Sequence, residues 1–543
     1  MVFARRSTTL LAAIIASCAM VLSLTACTSD NKTVVDGQTT VTSNSAGGVA
    51  VFTPSDGITL NQQMPLNKWA KLVPDLTKAL VDAGFKKGDI NHTTSDSLDK
   101  QSRAIQDFVV DHLSNNTTDD SGIAIAPDNM TLLVAPVVEA DASTRQYGDY
   151  ISQNLSTNDA TDGEATSDGE SSEDDSSKDD SSNTESDSTA SDEQAQAVDR
   201  LVSSLKLAKE SGMHVVLLGN SIEGYKPDAF VKFSDAQTIG KLQAEKMVSK
   251  LKLDKASKDN PKYIEVLLPY TAVDEKGNAN DSTFAQEAFR GIWQVLGSYY
   301  QKDVVESPSG TLDGKSTEND WQAVAYDAAK EGSTAKVLDK RLAKTDGQST
   351  LTRIDGIITM NDYIASEVVK ELDDLGYTGS AADINPQITI SGIVGNITGK
   401  KDLSRDAVPD PIKSPENDNA NDSSSSDDDA DEDTSASDKD RDSQWPLVTG
   451  YGAYVSNIPS IVNGKQWMTG MEDRQTIATD IAQACAKLNK DEALNSMPSI
   501  RNSEVGGVKK IPTISEPLLA VSASNLKSAL IDPGYISLAD AGL

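Results

Sequence analysis

Side chains able to do covalent, metal or acid–base chemistry are sparse in this chain of 543 residues. The three histidines, His92, His112 and His214, are widely separated and show no metal-ligand spacing. His214 opens the apolar run HVVLL and reads as a structural residue at a strand start. The sequence has no Gly-x-Ser-x-Gly elbow, phosphate-binding loop or zinc signature. Carboxylates are abundant, but they crowd into two solvated runs that make no acid–base pair. Of the cysteines Cys18, Cys27 and Cys485, the last has Ile477, Ile481, Ala484 and Leu488 around it at helical spacing. It is expected to be a small buried apolar residue and not a nucleophile. The chain is therefore not expected to be an enzyme, and no metal or cofactor is expected.

Cys27 is the exception, because of what precedes it. Arg5 and Arg6 lead into an apolar stretch from Leu10 to Leu24, then Thr25-Ala26-Cys27. This is the pattern of a secretory signal, shorter than the ~20 apolar residues of a membrane span. Its cleavage site resembles the box of bacterial lipoproteins. That resemblance implies a signal peptide over 1–26, a diacylglycerol on the Cys27 thiol, and a mature chain lipid-anchored at the outer face of the bacterial cytoplasmic membrane, at the cell surface or in the periplasm. Cys485 is then the sole thiol left, so no disulfide is expected. Residues 27–47, polar and small, are expected to form a flexible linker from lipid to domain.

The net charge of −34 is unevenly spread. Residues 159–193 hold 14 Asp/Glu against one Lys, and residues 416–442 hold 12 against two basic residues, so these two stretches account for −23. They lack large apolar residues and are expected to be disordered inserts, over 154–194 and 406–443. Solvated spacer is their expected role, with weak calcium binding as the alternative. What remains is mildly acidic, which excludes nucleic acid as an expected partner.

The elements that would position a site alternate between strand and helix. Apolar runs at Val49–Phe52, Thr131–Val138, His214–Leu218, Phe230–Phe233, Tyr263–Leu268, Ile354–Met360 and Leu447–Gly450 read as strands. Helical spacing marks Leu66–Gly84, Asp99–Leu113, Asp199–Glu210, Gln237–Leu251, Ala285–Leu296, Ile364–Leu375 and Asp473–Leu488. Such alternation predicts α/β architecture with parallel sheets covered on both faces, and too many strands for one sheet predict two lobes. Ligands of open α/β sheets bind beyond the carboxyl ends of the strands. Around the second insert, QITISG (387–392) and LVTG (447–450) compete for one strand position, and the latter is favoured.

Four segments taken in order resemble the type I periplasmic sugar-binding proteins, closest to the D-xylose-binding branch. They are AKESGMHVVLLGNSIEGYKPDAFVKFSDAQTIGKLQAEKMV (208–248), IDGIITMNDYIASEVVKELDDLGYTG (354–379), TGYGAYVSNIPSIVNGKQWMT (449–469) and KKIPTISEPLLAVSASNLKSALIDPGYIS (509–537). The resemblance implies two α/β lobes, each a parallel sheet flanked by helices, with three hinge crossings. It places lobe one at 48–233 plus 471–511 and lobe two at 234–470 plus 512–543.

The resemblance also implies ligand contacts, residue by residue. Asn361 and Asp362 match the family's Asn-Asp pair after a strand, with helix capping as the alternative for both. Asp235 matches an acidic residue just past the hinge, again with capping as the alternative. Trp69 matches an aromatic that either stacks on a sugar or packs in the core. Asn220, following Gly219, stands where the family carries a gripping Asp-Arg pair. Tyr451 and Tyr454 stand where it has acidic contacts, and Glu472 where relatives carry Lys or Gln. Fewer charged and more aromatic contacts suit a larger or different saccharide than xylose.

The function implied is capture of a sugar (a pentose, a hexose or a small oligosaccharide) between the lobes, and its delivery to the permease of an ABC importer by a lipid-anchored, monomeric protein. The alternative is a sugar-sensing receptor lipoprotein of the same fold with no transport role.

Overall fold

The computed structural model describes residues 32–35, 38–41, 46–56, 65–115, 125–138, 144–157, 184–273, 279–343, 351–381 and 443–543. The leader over 1–26, Cys27, the stretch 387–392 and most of both acidic inserts lie outside them. The chain divides into a short unit up to Ser45 and a main unit from Ala46 to Leu543. The short unit holds an antiparallel strand pair, Lys32–Val35 against Gln38–Val41. The pair lies within 27–47, the stretch expected to be a flexible linker. Val34, Val35, Thr39 and Thr40 are β-branched, which favours strands.

The main unit opens with β1 (Gly48–Pro54), α1 (Trp69–Asp82), β2 (Ile90–Ser95), α2 (Leu98–Asn115), β3 (Met130–Val134), α3 (Thr184–Glu210), β4 (His214–Leu218) and β5 (Ala229–Lys232). It continues with α4 (Ala236–Leu251), β6 (Lys262–Val266), α5 (Thr283–Gln301), β7 (Val305–Glu306), β8 (Gly356–Ile358), α6 (Asp362–Leu375), β9 (Leu447–Val448) and β10 (Met468–Met471). It closes with α7 (Arg474–Leu488), β11 (Ile500–Val505), β12 (Val508–Ser515) and β13 (Leu519–Ser522).

Seven strands form the first sheet in the order β11-β12-β5-β4-β3-β1-β2, parallel except for β11. Helices cover both faces, which is why β1, β3 and β4 are near-continuous apolar runs. On one face Trp69, Leu72 and Leu76 of α1 meet Ile477, Ile481 and Cys485 of α7. On the other, Ile105 and Val109 of α2 meet Leu201 and Leu205 of α3. The second sheet, β7-β6-β8-β9, is fully parallel and shares one core with α4, α5 and α6. The chain passes between the sheets three times: from β5 to α4, from β10 to α7, and from β12 to β13, which pairs antiparallel with β10. Cys485 is fully buried, and burial pushes its thiol far above the usual range.

Three details depart from the sequence reading. Helix α3 starts at Thr184, inside the stretch over 154–194 expected to be disordered, and Asn154–Leu155 pairs with Ser221–Ile222. Ala197, Val198 and Leu201 dock on the sheet and nucleate the helix, after which extending it towards its N-terminus is cheap. Strand β2 is unexpected because it is an exposed edge with the polar sequence INHTTS. Strand β12 stays in the first sheet through Ser515, beyond the return at 511 that the resemblance implies, because Thr513, Ile514 and Ser515 complete its pairing with β5.

Candidate functional site

The carboxyl ends of β1, β3 and β4 in the first sheet and of β8 and β9 in the second carry the segments that meet between the lobes. Among them is Thr144–Leu155, which follows β3.

Two of the three crossings are joined by a buried polar cluster. The Ser234 amide donates to Glu472 Oε1 at 2.6 Å, and the Ser234 and Tyr451 hydroxyls share a hydrogen bond of 2.5 Å. Glu472 is fully enclosed, and burial pushes its carboxyl up to about 7, although the bonds from Ser234 and Tyr451 favour the ionised form. Asp235, one residue on, accepts from the Thr238 amide at 2.7 Å and caps α4. It also pairs with Lys232 at 2.9 Å; against burial, the bonds from Thr238 and Lys232 hold its carboxyl below the usual range. Both residues border a shallow open depression of about 290 Å³ on the first sheet.

Asn361 and Asp362 begin α6. Asn361 Oδ1 accepts from the Ile364 amide at 2.9 Å, so capping is real, while its Nδ2 donates to Gln146 Oε1 at 3.1 Å. Asp362 is enclosed and gathers the β9–β10 connection. It accepts from Gln466 Nε2 at 2.7 Å, from the Tyr454 amide at 2.9 Å and from Thr469 Oγ1 at 2.9 Å. Burial raises its carboxyl to about 6, partly opposed by those donors.

The remaining expected contacts face Thr144–Leu155. Tyr454 Oη donates to the Gln146 carbonyl at 2.6 Å. The Tyr147 ring lies 6.2 Å from Tyr451 and 4.6 Å from Phe284, centroid to centroid. Trp69 is buried, edge-on to Tyr150 at 5.1 Å and to Phe233 at 5.7 Å, and its amide donates to Asp149 Oδ2 at 3.0 Å. Asn220 Nδ2 donates to the Pro136 carbonyl at 2.9 Å, and its Oδ1 accepts from the Gln153 amide at 2.9 Å. The structure thus brings Asn361, Tyr451, Tyr454, Trp69 and Asn220 around one segment. Glu472 and Asp235 sit at the crossings, and Asp362 lies behind Asn361.

Sequence reasoning missed that segment. Its own signal is Tyr147, Tyr150 and Ile151, three large apolar residues at helix-like spacing in a polar stretch beside an acidic insert. Ser234 was also missed, since a lone serine between Phe233 and Asp235 carries no signal. Among the described residues no group of three or more His, Cys, Asp or Glu gathers as a metal site. Among them, too, no helix is long and apolar enough to cross a membrane.

No protein-family model and no curated protein matches the chain. Among solved structures it is similar to an ABC transporter solute-binding protein from Clostridium phytofermentans with bound β-D-glucose, at 17% identity and a TM-score of 0.44, over 91% of this chain and 99% of that one. It is also similar to a carbohydrate transporter solute-binding protein from Chloroflexus aurantiacus in complex with D-glucose, at 18% identity and a TM-score of 0.43, over 92% and 98%. A third is a sugar ABC transporter structure from Actinomyces odontolyticus, at 10% identity and a TM-score of 0.43, over 89% and 97%.

Proposed function

We propose that this chain is an extracytoplasmic solute-binding lipoprotein, anchored through Cys27, that takes a pentose, hexose or small oligosaccharide between its two lobes and presents it to an ABC importer. The observation that carries the reading is the meeting of polar and aromatic groups from the carboxyl ends of two separate parallel sheets. The groups offered to a ligand are Asn361, Tyr451 and Tyr454 from the second sheet, where they meet Gln146 and Tyr147 from the first. Such a space suits a sugar, whose ring faces take aromatic side chains and whose hydroxyls take amides and phenols. Three crossings allow the lobes to rotate, so ligand capture changes the surface offered to a permease. The experiment is thermal unfolding of the full chain in mild detergent against a panel of mono- and oligosaccharides. A ligand at 100 times its Kd adds about 2.7 kcal/mol to the folded state. A saturable shift with one sugar class supports the reading, and a flat response across the panel sinks it.

A further inference from the structure

We infer that Thr144–Leu155 is the resident occupant of the interlobe space, a tethered self-ligand whose Tyr147 ring and Gln146 side chain hold the groups that a sugar must take. In naming a sugar as its competitor the inference rests on the function proposed above. The segment leaves the first sheet after β3 and is fixed to that lobe at its far half. The Asp149 amide donates to the Asn67 carbonyl at 2.8 Å, Asp149 pairs with Lys68 at 2.7 Å, and Tyr150 Oη donates to the Lys68 carbonyl at 2.6 Å. Gly148 makes this docking possible. Its φ is +95°, and a Cβ there would lie 2.5 Å from the Asn67 carbonyl oxygen.

The near half reaches across to the other lobe. Gln146 engages Asn361 and Tyr454, and Tyr147, 1% exposed, joins the hydrophobic core of the second sheet. One lobe therefore inserts a side chain into the other, as a bound ligand would bridge them, and the contact holds the lobes together.

The fit is incomplete in a telling way. Asn67 Nδ2, Tyr147 Oη and Ser152 Oγ are buried and make no hydrogen bond of normal geometry. The Asn361 amide beside the Tyr147 hydroxyl offsets only part of its burial. Each buried group left unpaired weakens the segment's hold and makes it easier to displace. An internal competitor multiplies the apparent affinity of any ligand by the fraction of molecules with the segment withdrawn, and so raises the apparent Kd.

The test uses the full chain in detergent. Backbone hydrogen exchange, read by mass spectrometry without sugar, is expected to show 144–153 protected well above an unstructured peptide. Calorimetric titration with the saccharide panel then compares wild type with Gln146→Ala/Tyr147→Ala, whose binding sugars are expected to bind at least tenfold tighter. If the double variant does not fold, Gln146→Ala alone is expected to tighten binding severalfold. A sugar that binds wild type and binds the variant equally or less well overturns the self-ligand while leaving the proposed function standing. If no sugar binds either protein, the proposed function fails and exchange decides this inference. Protection of 144–153 sustains an occupied space, and free exchange overturns it.

Discussion

The Asn361 side chain joins two lobes through its two ends: Oδ1 closes the first turn of α6 on the Ile364 amide at 2.9 Å, and Nδ2 reaches Gln146 Oε1 at 3.1 Å. Serine keeps a capping oxygen but is too short for Gln146, so Asn361→Ser is expected to lose about 1 kcal/mol, the worth of one hydrogen bond. Asn361→Ala loses the cap as well and is expected to lose about 2 kcal/mol. Urea unfolding midpoints with an unchanged slope measure both. An Asn361→Ser variant as stable as wild type would mean that the contact with Gln146 contributes nothing, and equal losses in the two variants would mean the same of the cap.

Glu472 gives a pH dependence of definite sign. Its carboxyl is raised from 4.5 to about 7 by burial, so between those values the folded chain binds more protons at this site than the unfolded chain. The stabilisation is complete below pH 4.5 and is lost as pH rises through about 7, by up to about 3 kcal/mol. Asp362, raised to about 6, acts in the same direction over a window starting near 4. Glutamine at 472 can still accept from the Ser234 amide and does not ionise. The stability of Glu472→Gln relative to wild type is therefore expected to rise steadily from pH 4.5 to 7.5 in denaturant titrations. A flat difference would show that Glu472 is ionised throughout.

Helices α4 and α5 touch backbone to backbone. A Cβ on Gly291 would sit 2.0 Å from the Gln237 carbonyl oxygen, so no side chain can be placed there without parting the helices. Gly291→Ala, stabilising by about 1 kcal/mol in an isolated helix, is here expected to destabilise the protein by about 3 kcal/mol. Calorimetric melting checks this, and a neutral or stabilising effect would mean that the helices part easily.

Much of this fold can be read in the sequence, and the limits have physical causes. Leu132, Leu133 and Val134 mark a strand covered on both faces because every position is apolar. Val368 and Leu372 mark α6 by their spacing, and Gly376, with φ of +93°, marks its end. Strand β2 hides because four of its six residues face solvent and leave no alternation to detect. The site is less legible than the fold. Asn361 and Tyr454 can be picked out by position after a strand, but their partner, Gln146, is more than 200 residues away, and no local pattern pairs them. Asp235 shows the converse limit: a cap and a ligand contact ask for the same residue at the same place, and the bond to Thr238 shows the cap without bearing on the contact.

Trp69 puts the same ambiguity to the test. An aromatic at the start of a helix either stacks on a ligand or packs in the core. Here it is 3% exposed, with Tyr150 and Phe233 against its ring and Leu72 and Leu76 following on the same buried face. A side chain so enclosed stabilises the lobe, so Trp69→Ala is expected to lose about 3–5 kcal/mol. Because the Asn67 and Lys68 carbonyls that hold Thr144–Leu155 lie immediately before α1, that loss should also loosen the segment. Trp69→Phe, which keeps a ring between Tyr150 and Phe233, is expected to recover most of both. Unfolding midpoints and hydrogen exchange over 144–153, measured on the two variants, check this together. Full stability in Trp69→Ala would mean that the ring sits free in the cleft and not in the core.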